Sequence, residues 1–368
     1  MASSPSSSRN ESKYSNESAT AVLPPVAVLE MFEKELTAAV ALRRIQSPYL
    51  IRPLASALNV PPYHGPCIAF EFAKGGTLYT LLRTDEEARS VGEGNSVTGI
   101  LSASERVGLA ADVARGLAAM HEAGWAHLDI KDHNIVVEPS RETHSRVNKE
   151  EIHGFPPRKF LAKIADFGSA RPVFPVRNES TVEASQNAPA TDNEHSRLRN
   201  TLHDCKFSRF IVAATAGWAA PEVLNYIEEE DGGLINNKAA TESDRTIHSN
   251  ISCSADCFSF GVLLWVCLLR DISEKHSLTA QHRANPLASL DAERAAYALR
   301  AGVQPYWPTE DDDSTPTQRK KKSKVRVSSA VSKVGELLKA CWNLEPAERP
   351  KMAEVAERMG SDIRPVWL

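Results

Sequence analysis

The stretch His127-Leu128-Asp129-Ile130-Lys131-Asp132-His133-Asn134, followed at once by Ile135-Val136-Val137, decides how the rest of the chain is read. It gathers a carboxylate, an ammonium and a neutral amide oxygen in one short loop. The β-branched run behind them predicts a strand that pins the loop. Further on, Ile164-Ala165-Asp166-Phe167-Gly168 ends a second apolar run in a carboxylate, and Gly168 lets the backbone turn sharply. Phosphoryl transfer to a hydroxyl needs a carboxylate to orient the nucleophile, hard oxygen ligands for Mg²⁺, and a cation on the transferred group. Asp129 is the candidate acceptor of the hydroxyl proton and Lys131 the candidate cation. Asn134 and Asp166 are the candidate metal ligands.

Upstream of this loop, Ser102 to His121 reads as a helix, with Ser102 or Ser104 able to cap it and a stripe of small residues along one side. Before it, Lys74-Gly75-Gly76 turns the chain into a helical start at Thr77 to Arg83. Leu50 to Leu58 and Cys67 to Phe72 read as strands, and Met31 to Ile45 has helical periodicity closed by Ser47-Pro48. Downstream, Phe160 to Ile164 is a strand and Phe258 to Leu269 an apolar helix too short to cross a bilayer. A few strands and one helix followed by mostly helices predict an α+β fold of two lobes, with the catalytic loops at their junction.

The composition, 42% hydrophobic and 24% charged over 368 residues, is that of a globular protein. A net charge of -4 excludes a nucleic-acid binder that works by bulk electrostatics. The six cysteines have no metal-ligand spacing and read as reduced thiols. Residues 1–25 are Ser-rich and read as disordered, with no secretory h-region. The folded unit is expected over 26–360: a small lobe and hinge at 26–73, then a large lobe at 74–360. Polar inserts interrupt it at 84–100, 139–158, 171–208, 228–250, 271–294 and 309–328.

Three further segments fall in register with the two loops. They are Thr215-Ala216-Gly217-Trp218-Ala219-Ala220-Pro221-Glu222, then Ser254 to Trp265, then Cys341-Trp342 with Pro346 and Arg349-Pro350. Together the five motifs resemble a eukaryotic-type serine/threonine protein kinase domain of tyrosine-kinase-like flavour, over about Glu30 to Met359. The resemblance implies ATP and Mg²⁺ as cosubstrate and cofactor and a protein Ser or Thr hydroxyl as acceptor. Lys131 two residues after Asp129 fits the serine/threonine pattern, and Thr215 would bond both. Asp129, Lys131, Asn134 and Thr215 would be catalytic. Phe70 would be a bulky gatekeeper, the Glu71 C=O and Ala73 N–H would pair with adenine, and Val136 would lie under the purine. The resemblance also implies that Arg349 pairs with Glu222, that Asp256 holds the catalytic-loop backbone, and that His127 packs near Phe167. A cytoplasmic location follows, with nuclear import possible through the basic run Arg319 to Arg326. The better reading of that run is a solvated surface insert.

The pattern departs from the family in the small lobe. The first glycine is Gly65, so no glycine-rich loop precedes the helix at 31–45. Val26-Ala27-Val28 has the flavour of the strand that carries the nucleotide lysine, but Leu29 follows, and Lys13 sits in polar surroundings. The small lobe therefore reads as truncated, whether by real loss or by an incomplete 5′ gene model. Glu35, or else Glu33, is the candidate partner for the missing lysine. Leu128 replaces the arginine that reads a phosphorylated activation loop, although Ser180, Thr181, Thr191, Thr201 and Ser208 lie in that segment. The runner-up reading is a pseudokinase acting as a scaffold.

Overall fold

A computed structural model describes residues 26–60, 65–90, 100–140, 158–173, 215–224, 252–276, 284–308 and 329–363. The candidate lysine Lys13, the five activation-segment hydroxyls and the basic run Arg319 to Arg326 lie outside them.

The described part of the small lobe is one helix on a two-stranded sheet. Helix α1 spans Val26–Leu42 and buries Ala38, Ala39 and Leu42. Strands β1 (Pro53–Val60) and β2 (Gly65–Phe70) pair antiparallel, with Ser56 opposite Ile68 and irregularities on either side. Val26-Ala27-Val28, which has the flavour of a strand, forms the first turn of α1. The branched residues there join the helical period that runs on through Glu30 to Leu42, because their local β preference is weak beside it.

The chain then crosses between lobes at Glu71 to Ala73 and turns at Gly75. A Cβ on Gly75 would sit 2.6 Å from the Val137 carbonyl oxygen, so no other residue fits where its N–H donates to that carbonyl at 2.8 Å. Helix α2 (Leu78–Ser90) follows and runs seven residues into the stretch expected to be loop. Helix α3 (Ala103–Glu122) begins with a capping box: the Ser102 hydroxyl accepts from Glu105 N–H and the Glu105 carboxylate accepts from Ser102 N–H. Its residues from Arg106 to Ala114 are all buried.

Short strand β3 (Trp125–Ala126), a 3₁₀ turn at Asp132–Asn134 and β4 (Ile135–Pro139) carry the chain through the catalytic stretch. Strand β5 (Phe160–Ile164) pairs antiparallel with β4, and β6 (Arg171–Pro172) with β3. Further helices among the described residues are α4 (Ser254–His276), α5 (Ala292–Arg300), α6 (Ser329–Cys341) and α7 (Met352–Arg358). Helices α4 and α5 take up both ends of the polar stretch expected as an insert at 271–294. Helix α3 packs against α4, α7 and β5, which makes it the centre of the large lobe. No helix among the described residues is long and apolar enough to cross a membrane.

The lobes are tied by main-chain bonds through Ile164, whose N–H donates to Tyr49 C=O and whose C=O accepts from Ile51 N–H, both at 2.8 Å. This is the α+β, two-lobed architecture expected.

Candidate active site

Asp256, near the start of α4, is fully buried and accepts three hydrogen bonds. Its Oδ2 takes the His127 N–H and its Oδ1 the Leu128 N–H, each at 2.7 Å, and His121 Nε2 lies 2.9 Å from Oδ2. Burial pushes the Asp256 carboxyl up, but the hydrogen bond and charge of His121, with His127, outweigh it and hold the group below the ordinary aspartate value. The anchor is needed because Leu128 has φ 66°, a left-handed conformation that costs a bulky residue about 1–2 kcal/mol. Leu128 is also buried, so the position of the phosphate-reading arginine is part of the apolar core.

The strained turn delivers Asp129 into a closed network. Lys131 Nζ donates to Asp129 Oδ2 at 2.7 Å and to Thr215 Oγ1 at 3.0 Å, and the Thr215 hydroxyl donates to Asp129 Oδ1 at 3.0 Å. Asn134 Nδ2 donates to both the main-chain oxygen and the Oδ2 of Asp129, each at 2.9 Å, which turns its amide oxygen outward. The Asn134 carbonyl accepts from Ala165 N–H at 2.8 Å, bringing the Asp166 loop alongside. Asp166 has φ 62°, and its Oδ1 accepts from Gly168 N–H at 3.2 Å.

Phe167 is fully buried. His127 packs edge-on against it, ring centroids 6.0 Å apart, and Phe70 meets it from β2 at 6.4 Å. Asp129 N–H donates to His127 Nδ1, so the ring proton is on Nε2, facing the Ala165 carbonyl at 3.1 Å. His127 is thus fully engaged in holding the two loops together.

The Glu71 carbonyl and the Ala73 amide make no hydrogen bond among the described residues, and Val136 is only partly buried above the core. The Glu71 side chain has a role that the sequence did not signal. Lys163 Nζ bridges Glu71 Oε1 at 2.9 Å and Glu138 Oε2 at 2.8 Å, and Glu71 Oε1 also accepts from Arg52 N–H. The antiparallel pairing of β4 with β5 makes Glu138 and Lys163 diagonal neighbours, a signal available once both strands are recognised.

Glu35, not Glu33, is the half-buried carboxylate on α1 that faces the site. Burial first, and the negative charge of Asp166 second, raise it above the ordinary glutamate range. Among the described residues it makes no ion pair, and Lys163, beside the hinge, is committed to Glu71 and Glu138.

At the far end of the large lobe, Arg349 holds Glu222 through two hydrogen bonds, at 2.6 and 2.9 Å, and donates to Ser254 C=O. The segment from Thr215 to Glu222 is thereby bound to the base of α4.

The protein kinase domain family matches residues 30–359. The chain belongs to that family. This kinase domain is 22% identical over 353 residues to the serine/threonine-protein kinase STY17 of Arabidopsis thaliana, covering 96% of the chain and 41% of that protein. It is 23% identical over 315 residues to the megakaryocyte-associated tyrosine-protein kinase of Rattus norvegicus, covering 86% and 43%. It is 23% identical over 337 residues to the probable serine/threonine-protein kinase drkA of Dictyostelium discoideum, covering 91% and 34%. The kinase domain thus spans about two fifths or less of these relatives, which include kinases of both hydroxyl specificities.

Proposed function

We propose that this chain is a serine/threonine protein kinase that passes the γ-phosphoryl group of ATP to Ser or Thr hydroxyls of proteins. The observation that carries the reading is Lys131 Nζ bridging Asp129 and Thr215, at 2.7 and 3.0 Å. A cation two residues beyond the carboxylate lies where it can neutralise charge on the group in transfer. Asp129 orients the incoming hydroxyl and takes its proton, and Thr215 holds both partners in register.

The donor set fits a hard divalent cation. The outward Asn134 amide oxygen and the Asp166 carboxylate are oxygen ligands of the kind Mg²⁺ takes, and Mg²⁺ bound there would offset phosphate charge. The free Glu71 C=O and Ala73 N–H suit the edge of an adenine ring, with Val136 beneath it and Phe70 closing the rear.

One observation favours the second reading, a scaffold that has lost productive nucleotide binding: Glu35 faces Asp166 without a cation among the described residues. Phosphoamino-acid analysis after incubation of the full chain with labelled ATP, Mg²⁺ and a mixed protein substrate separates the possibilities. Label on Ser and Thr supports the proposal. Label on Tyr alone overturns the specificity, and no label overturns the enzyme.

A further inference from the structure

We infer that a cavity between α1 and β1 binds a small phosphate monoester with an apolar body, and that this ligand strengthens nucleotide binding. The cavity, about 540 Å³, is walled by the end of α1, the turn after it and the start of β1. Arg43 and Arg52 are its charged walls, Ser47 a polar one, and Leu42, Leu50 and Ile51 supply a buried apolar floor. Among the described residues no carboxylate lines it. The guanidinium groups of Arg43, Arg52 and the adjacent Arg44 make no hydrogen bond or ion pair with the described residues, and all three residues are exposed. Glu71, whose Oε1 accepts the Arg52 main-chain N–H at 3.1 Å, is bound by Lys163.

The chemistry of the walls selects the ligand. Guanidinium groups match a phosphate in geometry, and a monoester carries up to about two negative charges against the two arginines of the wall. The Ser47 hydroxyl accepts from Tyr49 N–H at 3.3 Å, which leaves its own proton to donate. Open carbonyls at a helix end would repel an anion, but here Ala39, Ala41 and Leu42 C=O accept from Arg43, Arg44 and Ile45 N–H. The apolar floor favours a ligand with a ring or short chain over a bare ion. The walls also reach the catalytic loops. Helix α1 carries Glu35, which faces Asp166, and enters the cavity wall at Leu42. Ile51 N–H donates to Ile164 C=O, and Ile164 stands two residues before Asp166. A ligand that bridges Arg43 and Arg52 therefore fixes the end of α1 against the strand leading into Asp166. Nucleotide that also needs this order then binds at a smaller entropic cost.

The test titrates the full chain with phenyl phosphate by calorimetry, beside benzyl alcohol as a neutral probe and inorganic phosphate as a bare anion. Phenyl phosphate should bind at least about fivefold more tightly than either, the range of an exposed charge pair. A double variant, Arg43→Gln with Arg52→Gln, should lose that margin. Saturating phenyl phosphate should tighten Mg·ATP about fivefold, and Mg·ATP should tighten phenyl phosphate by the same factor. Equal binding of benzyl alcohol overturns the site, as does an affinity for phenyl phosphate that survives the double variant. Mutual weakening of the two ligands places the probe in the nucleotide cleft and also overturns it. An affinity for Mg·ATP that the probe leaves unmoved overturns the role as an effector. The titrations need no phosphoryl transfer, so a chain that transfers to no acceptor sinks the kinase reading without deciding the site.

Discussion

Glu35 faces Asp166, and burial together with that second carboxylate lifts the Glu35 carboxyl above its ordinary value of 4.5. A carboxyl raised by folding costs stability once both states are ionised, and the cost vanishes below the unfolded value, where both are protonated. Glu35→Gln should therefore melt at or above wild type at pH 7 to 8, with the gap closing as pH falls toward about 4. Melting curves across that range check the sign. A variant that melts well below wild type at pH 8 would mean that Glu35 has a cationic partner.

Asp256 has the opposite sign. Its folded value is held below the ordinary 3.8, so its contribution is fully present above that value and is lost as pH falls through the lower, folded one. Asp256→Ala leaves the His127 and Leu128 amides buried without an acceptor and releases the left-handed turn at Leu128. The expected loss is about 3–5 kcal/mol at pH 7, by urea denaturation. The deficit should shrink only below pH 3.8.

Gly261 lies in α4, where alanine would ordinarily favour the helix by about 1 kcal/mol. Here a Cβ would sit 2.7 Å from Trp342 Nε1 and 2.9 Å from Cys341 Cβ. Both neighbours are buried, so overpacking of about 1–3 kcal/mol wins, and Gly261→Ala should lower the melting temperature. A melting temperature at or above wild type would show that α6 can shift aside.

Lys163 ties the interlobe connection to the sheet that leads into Asp166. Burial lowers its ammonium, but the bonds to Glu138 and Glu71 outweigh this and leave it raised, so the tie holds up to and beyond pH 10.5. Lys163→Met leaves two carboxylates that still reach solvent, so the stability loss should stay near 1–2 kcal/mol. The larger effect should be on KM for ATP, through a looser Glu71 to Ala73 segment, with kcat nearly unchanged. A fall in kcat at constant KM would contradict this.

The candidate cluster was legible because phosphoryl transfer constrains both residue type and spacing: Asp129, Lys131 and Asn134 sit in one short stretch, and Asp166 follows one strand. Arg349 with Glu222 and Asp256 with the His127 turn were reachable from the resemblance alone. What stayed hidden was held by distant partners. Thr84 to Ser90 is polar and reads as loop, yet it is helical, because Asp85 is buried with Arg106 and accepts from Leu101 N–H. Arg158, at the end of a polar insert, is locked to buried Asp112 by two hydrogen bonds of 2.6 Å. Neither pair lies within local reach along the chain, and no periodicity announces a buried ion pair. Val26 to Leu29 misled in the other direction, since a branched apolar run of four residues fits either element.

The most direct test is single-turnover phosphate transfer by wild type and Asp129→Asn, with Mg·ATP binding measured on both by thermal shift. The account predicts that both proteins bind nucleotide and melt alike without it, while transfer falls at least about 10²-fold in the variant. Equal transfer rates in the two proteins would contradict it.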